Sequence, residues 1–217
     1  MRFMAFMMAA TLATAVHAET LDYQWVQSVQ PQTLATQIEV RHQNLPVLVF
    51  DQMVSEPGQS QESFVRDISV RLDVFTRQNN YEGCGQIYLN EQTQQYAVQL
   101  STNFAQIACF VPNLTMTGFE TSVASIHSHP HVDTFKANAQ DQKAMRIFGR
   151  TRDRLIYSSK TPGFSPTDLA GGPGYLVDQG QLFYHNGEQQ IAQMGSIVGD
   201  TAYLAQQTTP TSRSSLP

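Results

Sequence analysis

Phe64, Ile68, Leu72 and Phe75 recur at spacings of four, four and three. That stripe is the strongest local constraint on the fold, because a helix brings such positions onto one face. It predicts a helix over 60–79, closed by Asn79-Asn80. Short apolar runs follow at 84–89, 96–100, 107–111 and 122–128, and each reads as a strand. The first two of these are joined by a polar turn at 90–95. Ahead of the helix, Leu45-Pro46-Val47-Leu48-Val49-Phe50 has the length of a strand, and Glu56-Pro57-Gly58 signals a turn. The stretch 134–156 carries uneven apolar points and reads as helical. Ser165-Pro166-Thr167-Asp168 reads as a helix start, with a serine cap, an early proline and an acid that can return the cap's bond. Gly171-Gly172-Pro173-Gly174 stops that helix almost at once. Asp178-Gln179-Gly180-Gln181, between Tyr175-Leu176-Val177 and Leu182-Phe183-Tyr184, signals a hairpin. Helices mixed with strands in this order predict a single α/β (α+β) domain over 60–200. The remainder reads as an N-terminal extension at 19–59 and a disordered Thr-, Ser-, Pro- and Gln-rich tail at 201–217.

The start of the chain bears on compartment. Arg2 precedes an apolar run from Phe3 to Val16, and Val16-His17-Ala18 suits a small-residue cleavage site. The expectation is a signal peptide over 1–18 and a periplasmic or secreted protein. The run is shorter than the roughly 20 residues that span a bilayer, so no membrane anchorage is expected after cleavage. In an oxidising compartment Cys84 and Cys109, the two cysteines of the chain, can form a disulfide; the alternative is two buried thiols that never meet. A formal net charge of −5 disfavours nucleic acid as a partner. The charge is uneven, however. Lys136, Lys143, Arg146, Arg150, Arg152, Arg154 and Lys160 face only Asp133, Asp141 and Asp153, so the 131–164 stretch is locally basic. That stretch reads either as a solvated helix face or as a guide or lid for an anionic substrate.

The chemistry lies in Ile126-His127-Ser128-His129-Pro130, in Tyr81-Glu82-Gly83-Cys84-Gly85 and in the serine–aspartate helix start. His127 and His129 are two apart at a strand end, so both rings face one side and can converge on one metal. Asp168 is the candidate third ligand, which leaves an open zinc position of the catalytic kind. Glu82 is the candidate general base and Ser165 a candidate hydrogen-bond donor. Each has an ordinary alternative. Asp168 and Ser165 can be helix caps, Glu82 an exposed strand-end acid, and the histidines surface residues. Asp133, Asp141 and His131 are rival ligands, while His42 and His185 lack partner spacing and read as surface or packing residues.

Taken together, Glu82, His127-x-His129-Pro130 and Ser165-x-x-Asp168 resemble the JAMM motif of the MPN-plus (JAB) zinc metalloproteases, closest to bacterial JAB-like domains. The resemblance covers about 60–190 and implies a cytidine-deaminase-like mixed sheet flanked by helices. It implies that His127, His129 and Asp168 hold Zn2+, that Glu82 acts as general base, and that Ser165 donates a hydrogen bond to the developing oxyanion or orients the water. A donor of that kind is worth about 3 kcal/mol of barrier. The serine lies much further beyond Pro130 than is usual in the family, so the basic stretch is an insertion. The implied activity is amide-bond hydrolysis, and export points to an envelope protein, a peptide or cell-wall peptide as substrate. The competing expectations are a non-catalytic JAB-fold binding module and an envelope zinc-binding protein.

Overall fold

The computed structural model describes residues 36–111, 117–131, 134–149, 156–158, 163–188 and 190–197. The expected leader, the tail at 201–217, and Asp133, Arg150, Arg152, Asp153, Arg154 and Lys160 of the basic stretch lie outside the described residues. In chain order the elements are β1 (Thr36–Val40), β2 (Gln43–Val54), α1 (Gln61–Asn79), β3 (Cys84–Asn90), β4 (Gln95–Thr102) and β5 (Thr121–Ser128). They continue with β6 (Thr134–Lys136), α2 (Ala139–Ile147), β7 (Ile156–Ser158), α3 (Pro166–Ala170), β8 (Pro173–Asp178), β9 (Gln181–Asn186) and β10 (Ile191–Ser196).

Helix α1 forms where the apolar stripe predicts it. The Ser60 hydroxyl accepts the Ser63 N–H at 3.2 Å, and Asn80 ends the helix in the left-handed region at φ 57. Phe64, Ile68, Leu72 and Phe75 are all buried. The first three pack with Ile87, Val98, Leu100, Ile126, Val177 and Leu182 into the main core. Each such side chain contributes about 1.5–3 kcal/mol on burial.

Eight strands form one open mixed sheet in the order β1-β2-β4-β3-β5-β8-β9-β10, making the fold α+β. Strand pairing is antiparallel except between β5 and β8, which run parallel. A parallel pair needs a crossover connection, and here it runs through β6, α2, β7 and α3. The sheet begins earlier than the expected domain boundary at 60. β1 and β2 fall in the stretch read as an extension, yet β2 pairs with β4 from Leu48–Thr102 to Val54–Ala97.

Other readings are met in detail. The β8–β9 hairpin turns on Gln179 and Gly180 at φ 51 and 72, the two positive angles of a type I′ turn. Gly85 has no room for a side chain, since a Cβ there would stand 2.7 Å from Val98 Cγ2 and 2.8 Å from the Gln99 carbonyl oxygen.

Two expectations are corrected. The run 107–111 is not a strand. The strands on either side of it in the chain offer no free edge: β4 lies between β2 and β3, and β5 between β3 and β8. Instead the run folds as a wall, held by a Cys84–Cys109 disulfide with Cα atoms 5.8 Å apart and by the Phe110 N–H donating to Asn103 Oδ1. Among the described residues of 134–156, the helix is confined to Ala139–Ile147, between β6 and β7, which pair with each other. Its helix starts late because Asn138 and Asp141 form a capping box, with the Asn138 N–H donating to Asp141 Oδ2 at 2.8 Å. Gly149, at φ 70, follows its end.

A buried hydroxyl knot ties the site-bearing segments together. Ser128 Oγ lies 2.5 Å from Thr76 Oγ1 on α1 and accepts the Gly83 N–H at 3.1 Å, and the Ser128 N–H donates to the Gly83 carbonyl at 2.9 Å. Ser128→Ala strands a buried amide and a buried hydroxyl, so it should cost about 1–3 kcal/mol. Urea unfolding measures this, and a loss below about 0.5 kcal/mol, the usual surface range, would refute the knot's role.

Candidate metal centre

Strand alternation sends Ser128 toward α1 and the residues on either side of it the other way. Cys84 pairs in register with His127, so Glu82, two residues before Cys84, comes to the same face beside the histidines. Glu82 is held through its backbone: its N–H donates to the Ala105 carbonyl at 2.8 Å, and its carbonyl accepts from Thr102 Oγ1 at 2.8 Å. Helix α3 comes over this face from the far end of the crossover. Phe164, just before it, stands edge-on to His185 at 4.2 Å and to His127 at 6.1 Å between ring centroids. That aromatic wedge docks Ser165 and Asp168 beside the histidines.

One cavity of about 540 Å3 results, and Glu82, His127, His129, Ser165 and Asp168 all line it. All five residues singled out in the sequence are therefore brought together, although Glu82 and Asp168 are 86 positions apart. The His127 and His129 ring centroids are 5.2 Å apart, and His127 Nε2 is 3.9 Å from Asp168 Oδ2. Ile107, Ala108, Phe110, Val111 and Phe148 form an apolar flank of the same cavity, and the disulfide lies in its wall.

Ser165 and Asp168 do form the helix cap. Asp168 Oδ2 accepts the Ser165 N–H at 2.6 Å, and Ser165 Oγ accepts the Asp168 N–H at 3.3 Å. The two readings are compatible, because a hydroxyl that accepts an N–H still has its own proton to donate. Glu82, by contrast, is not an exposed acid but 6% exposed.

Electrostatics suit a cation. Burial, then the Asp168 and Asp141 carboxylates, push the Glu82 carboxyl well above the usual range. Burial lowers His127 despite Asp168. Burial and the neighbouring His127 bring His129 down to about 3. Two neutral imidazoles and clustered acids that repel one another form a donor set of the type zinc takes. The spacing is looser than in a closed site. Among the described residues no group of three His, Cys, Asp or Glu side chains stands at ligating distance. Ligands 2.0–2.1 Å from a tetrahedral zinc lie roughly 3.3 Å from each other, so the 3.9 Å His127–Asp168 separation has about half an ångström to close.

Two of the rival ligands are engaged elsewhere. His131 Nε2 bonds Asp73 Oδ1 at 2.9 Å, and the other oxygen of that buried carboxylate takes Arg77 at 2.6 Å. Asp141 accepts backbone N–H groups of Gln106 and Asn138. His42 is exposed, and His185 is a packing residue, buried, with Nδ1 accepting the Gly187 N–H at 3.2 Å. Sequence reasoning missed Ser128 and Asp178. Only the parity of His-x-His could have flagged Ser128, and Asp178 was taken for a turn residue. Its carboxylate is in fact 2% exposed, with Oδ2 3.9 Å from His129 Nδ1.

Among the described residues no helix is long and apolar enough to cross a membrane. In comparisons with known proteins, the chain matches no family model, no curated protein and no solved structure.

Proposed function

We propose that the chain is an exported, zinc-dependent amide-bond hydrolase of the JAMM (JAB/MPN-plus) kind, acting on a peptide, an envelope protein or cell-wall peptide. The observation that carries this reading is the single cavity lined by Glu82, His127, His129, Ser165 and Asp168. His127, His129 and Asp168 would hold the ion. Zinc, when bound, polarises the scissile carbonyl and acidifies water.

The chain's own groups supply the rest. Glu82 takes the proton of the attacking water and returns it to the leaving amine. It can do so as an anion only beside a positive charge, which offsets its burial and the repulsion of Asp168. The Ser165 hydroxyl, with its acceptor side already used by the Asp168 N–H, donates to the carbonyl oxygen as charge builds there. The apolar flank at Ile107, Phe110 and Phe148 gives a substrate side chain a place to bury. The disulfide agrees with an oxidising compartment.

Metal analysis tests the ligand set. One zinc per chain is expected in the wild type, with none retained by a His127→Ala/His129→Ala variant that still folds. Hydrolysis of unstructured peptides by the zinc form, and none by the variant, completes the reading.

A second reading is favoured by the capping box, which accounts for Ser165 and Asp168 without any metal. It makes the protein a binding module of the same fold or, if zinc binds without hydrolysis, an envelope zinc-binding protein. Failure of the wild type to bind zinc selects the module.

A further inference from the structure

We propose that Asp178 is a positioning residue for His129: its carboxylate receives the Nδ1–H of that ring and so directs the Nε2 lone pair into the cavity. The inference rests on the metal reading above and assigns a role to a residue outside the five that carry it.

Asp178 closes β8 and is 2% exposed, yet neither of its carboxylate oxygens has a hydrogen-bond partner. A buried carboxylate without partners is costly, and a native chain that keeps one calls for an explanation. A leucine there would pack without that cost. The ring nitrogen facing the carboxylate is His129 Nδ1, 3.9 Å from Oδ2. That is longer than a hydrogen bond, but the backbone brings the pair together: the His129 N–H donates to the Val177 carbonyl at 2.9 Å, one residue before Asp178. The parallel register, pairing Ser128 with Val177, sets the same alignment.

The neighbouring His131 ring does not compete for this role. His131 spends Nε2 on Asp73, which Arg77 also holds. His129 is left as the ring for Asp178 to orient. A neutral imidazole carries one N–H, and a carboxylate at Nδ1 keeps the proton there. The lone pair then lies on Nε2, the same nitrogen that His127 turns toward Asp168. Carboxylates behind ligating histidines of this kind are worth about 10–100-fold in metal affinity.

The test uses the full chain and Zn2+ alone, with affinity read by competition against a chromophoric chelator. Asp178→Asn should weaken zinc binding about 10–100-fold. Long-range proton–nitrogen spectra of the metal-free wild type should show His129 as the Nδ1–H tautomer. This second measurement needs no variant, so it decides the matter even if Asp178→Asn fails to fold. Equal zinc affinity in wild type and Asp178→Asn overturns the proposal, as does a variant that loses only melting temperature. An Nε2–H tautomer at His129 overturns it too. A wild type that binds no zinc overturns the metal reading itself, and is thereby distinct from a wild type that binds zinc no better than the variant.

Discussion

Glu82→Gln should lower hydrolysis by about 10²–10⁴-fold, the range for a positioned general acid–base group, while the bound zinc stays. Glutamine keeps the shape of the side chain but cannot accept the proton, so the loss should fall on kcat. The fold should not suffer. Glu82 is 6% exposed and its carboxyl is pushed well above the usual range, by burial first and then by Asp168 and Asp141. The sign for stability follows. A carboxyl with a raised folded pKa binds protons more tightly in the folded state, so the folded state loses ground as pH rises above the unfolded value near 4.3. A neutral glutamine escapes that loss. Metal-free Glu82→Gln should therefore melt higher than metal-free wild type at pH 7, and alike at pH 4. Full activity in the variant on a confirmed substrate would end the hydrolase mechanism. Equal melting at both pH values would mean that Glu82 is not the strained acid described.

Removing the disulfide is the other large perturbation. Cys84 and Cys109 are 25 positions apart, and closing a loop of that length restricts the unfolded chain by about 3.5 kcal/mol in the chain-entropy account. For a chain of this size that is about 7–14 °C in Tm. The Cys84→Ala/Cys109→Ala variant should lose that much, with the 107–111 wall loosened first because it has no strand ladder of its own. Denaturant titration of variant and wild type under the same oxidising conditions measures it. A difference under about 1 kcal/mol would show that the wall is held by other contacts. Simple reduction is a different experiment. It leaves two thiols in the cavity wall beside Glu82 and His127, where a thiolate competes for zinc.

Much of the fold was legible because its signals are local. The stripe from Phe64 to Phe75 sets α1, since helical period and burial are written into neighbouring residues. Asp178-Gln179-Gly180-Gln181 sets the β8–β9 turn, since two positive φ angles favour such residues. Ser165 and Asp168 set the start of α3 through reciprocal bonds within one turn. The two misreadings have different causes. The run 107–111 has the composition of a strand, but its chain neighbours β4 and β5 are flanked on both sides, and strand formation depends on a partner supplied from elsewhere. The described residues of 134–156 form a strand, a short helix and a strand, because a capping box and a glycine outweigh uneven apolar spacing.

The site divides along the same line. The chain alone determined that two imidazoles share a strand face and that a serine and an acid close a helix turn, because residues two or three apart have their relative placement set by backbone geometry. Tertiary structure decided the rest: that Glu82 reaches the histidines across the β3–β5 register, that His131 turns away to Asp73, and that Asp178, a turn residue by composition, is buried behind His129. Those outcomes depend on strand order, register and the path of a long crossover, which arise from the packing of the whole chain.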